Sequence, residues 1–401
     1  MRPWEEIEVA RKKLRKAIRK TPTVYSDTFS RLTNKEVFLK LENLQKSGSF
    51  KIRGAYYKLA QLSLSERKKG VVAASAGNHA QGVAIASTLL GVKATIVMPE
   101  GASLAKQMAT RSYGGEVLLF GQDTDEALGY ANQLAQNGNS FIHPFDDERV
   151  IAGQGTIGLE ILEEVPGVEA IVVPVGGGGL ISGIATIVKK RKPRVKIIGV
   201  QSAHAPSAFL SLKRKRIVEV KGKPTLADGI AIRRVGEITF PIIQKYVDEI
   251  VTVQENEIAS SILMLMERKR VVVEGAGAAP LAALLSRRWK IRPKNVVLVI
   301  SGGNIDIHLL DRIIEKGLSE TGRIVRFGIL LRDMPGSLAK LSNLIAQSHA
   351  NILHIIHERA AKDIPIGFSK VILILETRGP DHIKEVRNRL REKGYLPQMQ
   401  S

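Results

Sequence analysis

The chain contains no cysteine in 401 residues, which excludes disulfides, thiolate metal sites and cysteine nucleophiles and is compatible with an intracellular or thermophilic protein. It also has no run of the roughly eighteen apolar residues that a membrane helix requires. Its start, MRPWEEIEVARKK, lacks the apolar core of a secretory signal, so a soluble cytoplasmic protein is expected. No HExxH, CxxC, EF-hand or Walker A pattern occurs, and no metal is assigned, at Ala227-Asp228-Gly229 or elsewhere. Aromatic residues make up only 5%, which bears on the one compositional excess, a net charge of +21. The basic clusters at 11–20, 189–196 and 213–216 lie far apart, and no helix-turn-helix, zinc-finger or RNP pattern interleaves with them. They read as solvated helix faces and ends carrying surface ion pairs, and specific nucleic-acid binding is not expected.

What is present is a set of short segments with chemistry in them. In SGSFKIRGA (47–55), Lys51 stands among small, hydroxyl and apolar residues. Burial disfavours the ammonium form, lowers the pKa and suits the amine to Schiff-base chemistry with a carbonyl. In VGGGGLISG (175–183), Gly176, Gly177, Gly178 and Gly179 follow an apolar run that reads as a buried parallel strand and precede a helical stretch. Glycine amides and the positive end of the helix dipole would hold a phosphate without lysine or arginine. Two more segments accompany these, SAGNHAQG (75–82) and VLVISGGN (297–304). Asn78 offers both a donor and an acceptor, or else caps a helix. His79, beside small residues, reads as structural.

In this order and spacing the four segments resemble the fold-type II pyridoxal-phosphate enzymes, and among them the threonine dehydratases, over about residues 5–320. The resemblance implies that Lys51 is the Schiff-base lysine and that Asn78 bonds the ring 3′-hydroxyl. It implies that Gly176 to Gly179, with Leu180, bind the phosphate of pyridoxal 5′-phosphate, and that Ser301 faces the pyridine nitrogen. Phe50 and Asn78 would flank the ring, and backbone amides of Ser75, Ala76, Gly77, Asn78 and His79 would bind the substrate carboxylate. A hydroxyl at Ser301 cannot stabilise a full pyridinium charge as a carboxylate would, so the ring is a weaker electron sink and β-elimination is favoured. The expected reaction takes L-threonine to 2-oxobutyrate and ammonia, and L-serine to pyruvate and ammonia. A serine racemase or serine dehydratase is the nearest alternative. Racemases of this family typically place a serine where this chain has Ala76, and alanine cannot move a proton. A catalytically silent amino-acid sensor is the alternative of a different class.

Two segments compete for attention. Residues 153–158, GQGTIG, fit GxGxxG but follow a polar stretch, not a strand, and read as the start of a packed helix along the cleft. Glu274, between an apolar run and a glycine-rich helix start, either caps that helix or sits near the cofactor ring.

Apolar runs at 71–76, 94–99, 116–120, 170–175, 195–201, 249–253 and 295–300 alternate with amphipathic stretches, predicting an α/β protein with parallel sheets covered by helices. The resemblance adds two lobes, tryptophan synthase beta-like, with a small lobe at about 50–150 inserted in the large one and the cofactor between them. Charge and glycine in IEKGLSETGR mark a linker, giving a catalytic domain over 1–320 and a second domain over 321–401. The tail reads strand, turn, helix, strand, strand, helix and resembles an ACT domain, a ferredoxin-like βαββαβ module that binds small effectors. Its turn, Asp333, Met334, Pro335, Gly336, Ser337 and Leu338, matches the place where helix amides can hold a carboxylate, with Met334 expected in the core. A homo-oligomer, dimer or tetramer, is expected.

Overall fold

The structure, a computed structural model, describes residues 2–400 and divides into two compact units between Ile305 and Asp306. The first unit holds two sheets. The larger has the order β1-β2-β10-β7-β8-β9. Its strands are β1 (Thr23–Tyr25), β2 (Glu36–Leu41), β7 (Ala170–Pro174), β8 (Lys196–Ser202), β9 (Glu249–Val253) and β10 (Asn295–Ile300). All neighbours are parallel except the edge pair β1-β2. The smaller sheet, β3 (Val71–Ala74), β4 (Ala94–Met98), β5 (Glu116–Leu119) and β6 (Ser140–Phe141), has the order β5-β4-β3-β6 and is wholly parallel. It enters the chain between β2 and β7. Every residue of β3 and of β7 is buried, as strands covered on both faces require.

The GxGxxG segment lies inside the helix Glu148–Glu164, not at its start; Asp147 caps that helix by accepting from the Arg149 and Val150 amides at 2.9 and 3.1 Å. Its glycines are contact points. A Cβ on Gly153 would lie 2.6 Å from the Gly54 Cα, and one on Gly183 would lie 2.6 Å from the Gly155 nitrogen. Side chains at these positions would drive apart three helices: Glu148–Glu164, Lys51–Ala60 and Gly179–Arg191.

A buried ion cluster ties the Lys51–Ala60 helix to the large sheet. Arg53, fully buried, forks onto Glu42 at 2.7 and 2.8 Å and onto Glu160 at 2.7 and 2.9 Å. Lys40, equally buried on β2, reaches Glu160 at 2.7 Å and Glu164 at 3.2 Å. Such clusters add little net stability over an apolar core, but they fix registry, and breaking one is costly.

In the second unit a helix, Ile307–Glu320, occupies the stretch expected as a linker and packs against the next strand. The chain turns only at Thr321-Gly322, where Gly322 has φ +67°. There follow β11 (Ile324–Arg332), a helix Ser337–Gln347, β12 (Asn351–Glu358), β13 (Phe368–Glu376), a helix Pro380–Glu392 and β14 (Gln398–Met399). The sheet order is β12-β13-β11-β14, all antiparallel, which is the ferredoxin-like βαββαβ arrangement. Among the described residues no helix is long and apolar enough to cross a membrane, and no group of three or more His, Asp or Glu residues is placed to hold a metal ion.

Candidate active site

A cleft of ≈ 690 Å³ in the first unit brings together residues from all four sequence segments: Phe50 and Lys51, Ser75 to His79, Gly176 to Leu180, and Ser301. Lys51 opens the helix Lys51–Ala60, which packs closely on the helix Asn78–Leu90 because Gly82 has no side chain; a Cβ there would lie 3.0 Å from the Lys51 backbone. The Lys51 Nζ donates to the Pro144 carbonyl at 2.9 Å and stands 5.3 Å from the Phe50 ring centre. Burial brings its pKa down to about 8, opposed by the charge of Glu274.

Across the cleft, β7 runs into the glycine loop. Gly178 takes φ +102°, a left-handed conformation that suits glycine, and the thirteen-residue helix Gly179–Arg191 begins with no side-chain cap. The loop is clamped from behind: the Thr239 hydroxyl donates to the Gly177 carbonyl at 2.7 Å, and a Cβ on Gly177 would lie 2.4 Å from the Phe145 ring. Unspent amides, the helix dipole and the absence of side chains make an anion cradle in the cleft that Lys51 also lines. These residues fit pyridoxal phosphate. The cradle matches its phosphate, the lowered-pKa amine its aldehyde, and Ser301, buried at the end of β10, its pyridine nitrogen.

Asn78 is the first residue of its helix and does not cap it. Its Nδ2 donates to both carboxyl oxygens of Glu274 at 2.8 Å, and its Oδ1 accepts from Asn304 Nδ2 at 2.7 Å. Glu274 occupies an N-cap position, but its side chain makes no cap bond and turns into the cleft. Burial pushes its carboxyl up to about 7, against the Asn78 hydrogen bond. His79 is structural: its Nε2 pairs with the Ile142 carbonyl at 2.8 Å, and burial drives its pKa down to about 3.

The five-amide carboxylate site narrows. The Ser75 amide is spent on the Val97 carbonyl at 3.0 Å, and the Gly77 amide on the Ser75 hydroxyl at 3.1 Å. The amides of Ala76, Asn78 and His79 stand at an uncapped helix start.

The sequence reading missed His143, Pro144, Phe145 and Asn304, all of which line the cleft. Asp146, next in the chain, accepts from the amides of Glu237, Ile238 and Thr239 at 2.9 to 3.1 Å, which anchors the clamp on the glycine loop. The polar HPFDD stretch carried a signal only for the cap that Asp147 supplies, since an aspartate before a helix is a cap; the partners of Asp146 lie 91 to 93 residues on, and nothing local announces them.

In the second unit the Asp333–Leu338 turn lies at the surface. Gly336 has φ +86°, and Asp333 pairs with Arg359 at 3.0 Å. Met334 is 62% exposed, contrary to the expected core position, because the turn projects beyond the sheet; Leu338 does pack on the core.

Comparison with known proteins agrees with this geometry. Residues 14–302 match the model of the family described as pyridoxal-phosphate dependent enzyme, and residues 325–392 match that of the ACT domain. The L-threonine ammonia-lyase of Thermotoga maritima is 52% identical over 392 residues, 98% of either chain. The processed threonine deaminase isoform 2 of Solanum lycopersicum is 39% identical and superposes with a TM-score of 0.75, covering 78% of this chain and 87% of that one. Maize serine racemase is 32% identical, with a TM-score of 0.74 over 79% of this chain and 98% of that one. The chain thus belongs to the pyridoxal-phosphate dependent enzymes and has an ACT domain at its C-terminal end.

Proposed function

We propose that the protein is a threonine ammonia-lyase, which removes water and then ammonia from L-threonine to give 2-oxobutyrate and does the same to L-serine, giving pyruvate. The observation that carries this reading is the Lys51 amine, with its pKa lowered by burial to about 8, in one cleft with the side-chain-free cradle Gly176 to Gly179. The full-length likeness to a named L-threonine ammonia-lyase supports it. When bound, pyridoxal phosphate supplies the electron sink for the charge left at Cα as its proton departs.

The chain supplies the rest. Near neutral pH part of the Lys51 population is uncharged and can take the Cα proton at Nζ, and the resulting ammonium can give a proton back to the departing oxygen. The Pro144 carbonyl aims that nitrogen. The uncapped start of the helix Asn78–Leu90 orients the substrate carboxylate with the amides of Ala76, Asn78 and His79. Threonine and serine differ by a methyl, worth about 1 to 3 kcal/mol in an apolar pocket, so both are substrates.

The likeness to a serine racemase favours a second reading, but Ala76 has no proton to deliver to the opposite face. Purified, cofactor-loaded protein given L-serine decides between them: pyruvate as the main product supports the lyase, and D-serine as the main product overturns it. The second unit reads as the regulator, binding a small effector, an amino acid among the candidates, at the Asp333–Leu338 turn of a homo-oligomer. The uncapped helix start after Gly336 supports that placement. Regulation further requires two states of unequal effector affinity.

A further inference from the structure

Asn78 carries two N–H donors on Nδ2 and one acceptor, Oδ1. The acceptor is used by Asn304, whose Nδ2 also donates to the Ser47 carbonyl at 2.9 Å. On the other side Nδ2 faces the Glu274 carboxyl, with both oxygens at 2.8 Å. A flipped carboxamide would set Oδ1 against carboxyl oxygens and Nδ2 against Nδ2, losing both bonds and creating two repulsions. The carboxyl is buried and lies against Gly302. The Glu274 amide is tied to the Gly302 carbonyl at 3.1 Å, and a Cβ on Gly302 would lie 2.4 Å from Glu274 Oε1. Because the two carboxyl oxygens lie at the same distance from Nδ2, one proton aimed between them makes both contacts, and the second Nδ2 proton is the hydrogen-bonding group of this side chain left for the cleft that Asn78, Glu274 and Asn304 line.

We propose that Glu274 and Asn304 are positioning residues that lock the Asn78 carboxamide as a donor, so that the phenolic oxygen of pyridoxal phosphate is held as an acceptor, in its deprotonated form. The inference rests on the cofactor reading of the cleft, with Asn78 beside that oxygen. A protonated phenol would need an acceptor where this side chain presents only N–H. The other charges near Glu274 are Asp228, which favours its protonation, and Lys106 and Lys51, which oppose it. At pH 8, above its value of about 7, Glu274 is mostly ionised and accepts.

The test is the visible absorption spectrum and cofactor dissociation constant of the full-length holoenzyme at pH 8, in wild type, E274Q, N304A and K51A. E274Q is expected to move the bound cofactor toward its protonated-phenol absorption and to weaken cofactor binding by roughly tenfold, the loss of a charge-assisted hydrogen bond. N304A is expected to shift the spectrum in the same direction. Unchanged spectra and affinities in E274Q overturn the proposal, even where the variant melts at a lower temperature. Should E274Q fail to fold, N304A carries the test, and an unshifted N304A spectrum overturns the proposal. A full-length wild type that takes up no pyridoxal phosphate and gains no visible band contradicts the cofactor reading itself and takes this proposal with it, whereas K51A is expected only to change the band to that of cofactor held without a covalent link.

Discussion

At the scale of the residue, Lys51 and Arg53 sit two positions apart and are buried to different ends. Lys51 is an amine whose charge the fold disfavours: its pKa falls from 10.5 to about 8. In the apoprotein that cost is fully present below about pH 8 and disappears above about 10.5, where the unfolded chain has also lost the proton. Lys51→Met is therefore expected to raise the melting temperature of the apoprotein at neutral pH, with the gain fading toward pH 10.5; thermal melts across this range check it, and a lower melting temperature at neutral pH contradicts it. Arg53 is a charge the fold requires. Arg53→Met leaves Glu42 and Glu160 buried without their cation and is expected to cost about 3 to 5 kcal/mol in urea unfolding. Lys51 and Asn78 were legible because short motifs surround them. Arg53 was not, since its partner Glu160 is 107 residues away. Glu274 was legible only as an ambiguity, because an acid before a helix looks the same whether its side chain turns to the helix or to the cleft.

At the scale of the element, the seven apolar runs read from the sequence each coincide with a strand; the clearest are β3 and β7, buried along their whole length and free of polar side chains, while the edge strand β5 keeps Glu116 at the surface. β2 is not among those runs because Lys40 interrupts its apolar pattern, and only the fold reveals the acids that neutralise it. GxGxxG was legible as part of a packed helix, but what it packs against was not: its glycines serve helix crossings whose partners lie elsewhere in the chain. Gly183→Ala is expected to destabilise by about 3 kcal/mol or more, since its Cβ would meet backbone of the neighbouring helix. Gly129→Ala, exposed within the helix Thr124–Gln136 with nothing within 4 Å of its Cβ, is expected to stabilise by about 0.5 to 1 kcal/mol. Denaturant melts of the pair check both signs together; equal effects would contradict the account of the crossing.

At the scale of the whole molecule, the boundary between units falls before the helix Ile307–Glu320, not in the glycine-bearing stretch that its sequence suggested. Gly317 is tolerated inside that helix, so glycine and charge there do not mark a break in the secondary structure, while the ACT match itself begins at residue 325. A chain ending at Ile305 retains every cleft residue and is expected to bind pyridoxal phosphate and deaminate threonine while losing any response to effectors. Activity assays of this fragment beside the full chain, with individual amino acids added, check it, and an effector response surviving in the fragment contradicts the placement of regulation in the second unit.

The most direct measurement is the formation of 2-oxobutyrate and ammonia from L-threonine by the cofactor-loaded protein, beside Lys51→Ala. The two products in equal amounts, abolished in the variant, are expected. A cofactor-loaded protein that forms neither from threonine would contradict the assignment of the Lys51 cleft to ammonia-lyase chemistry.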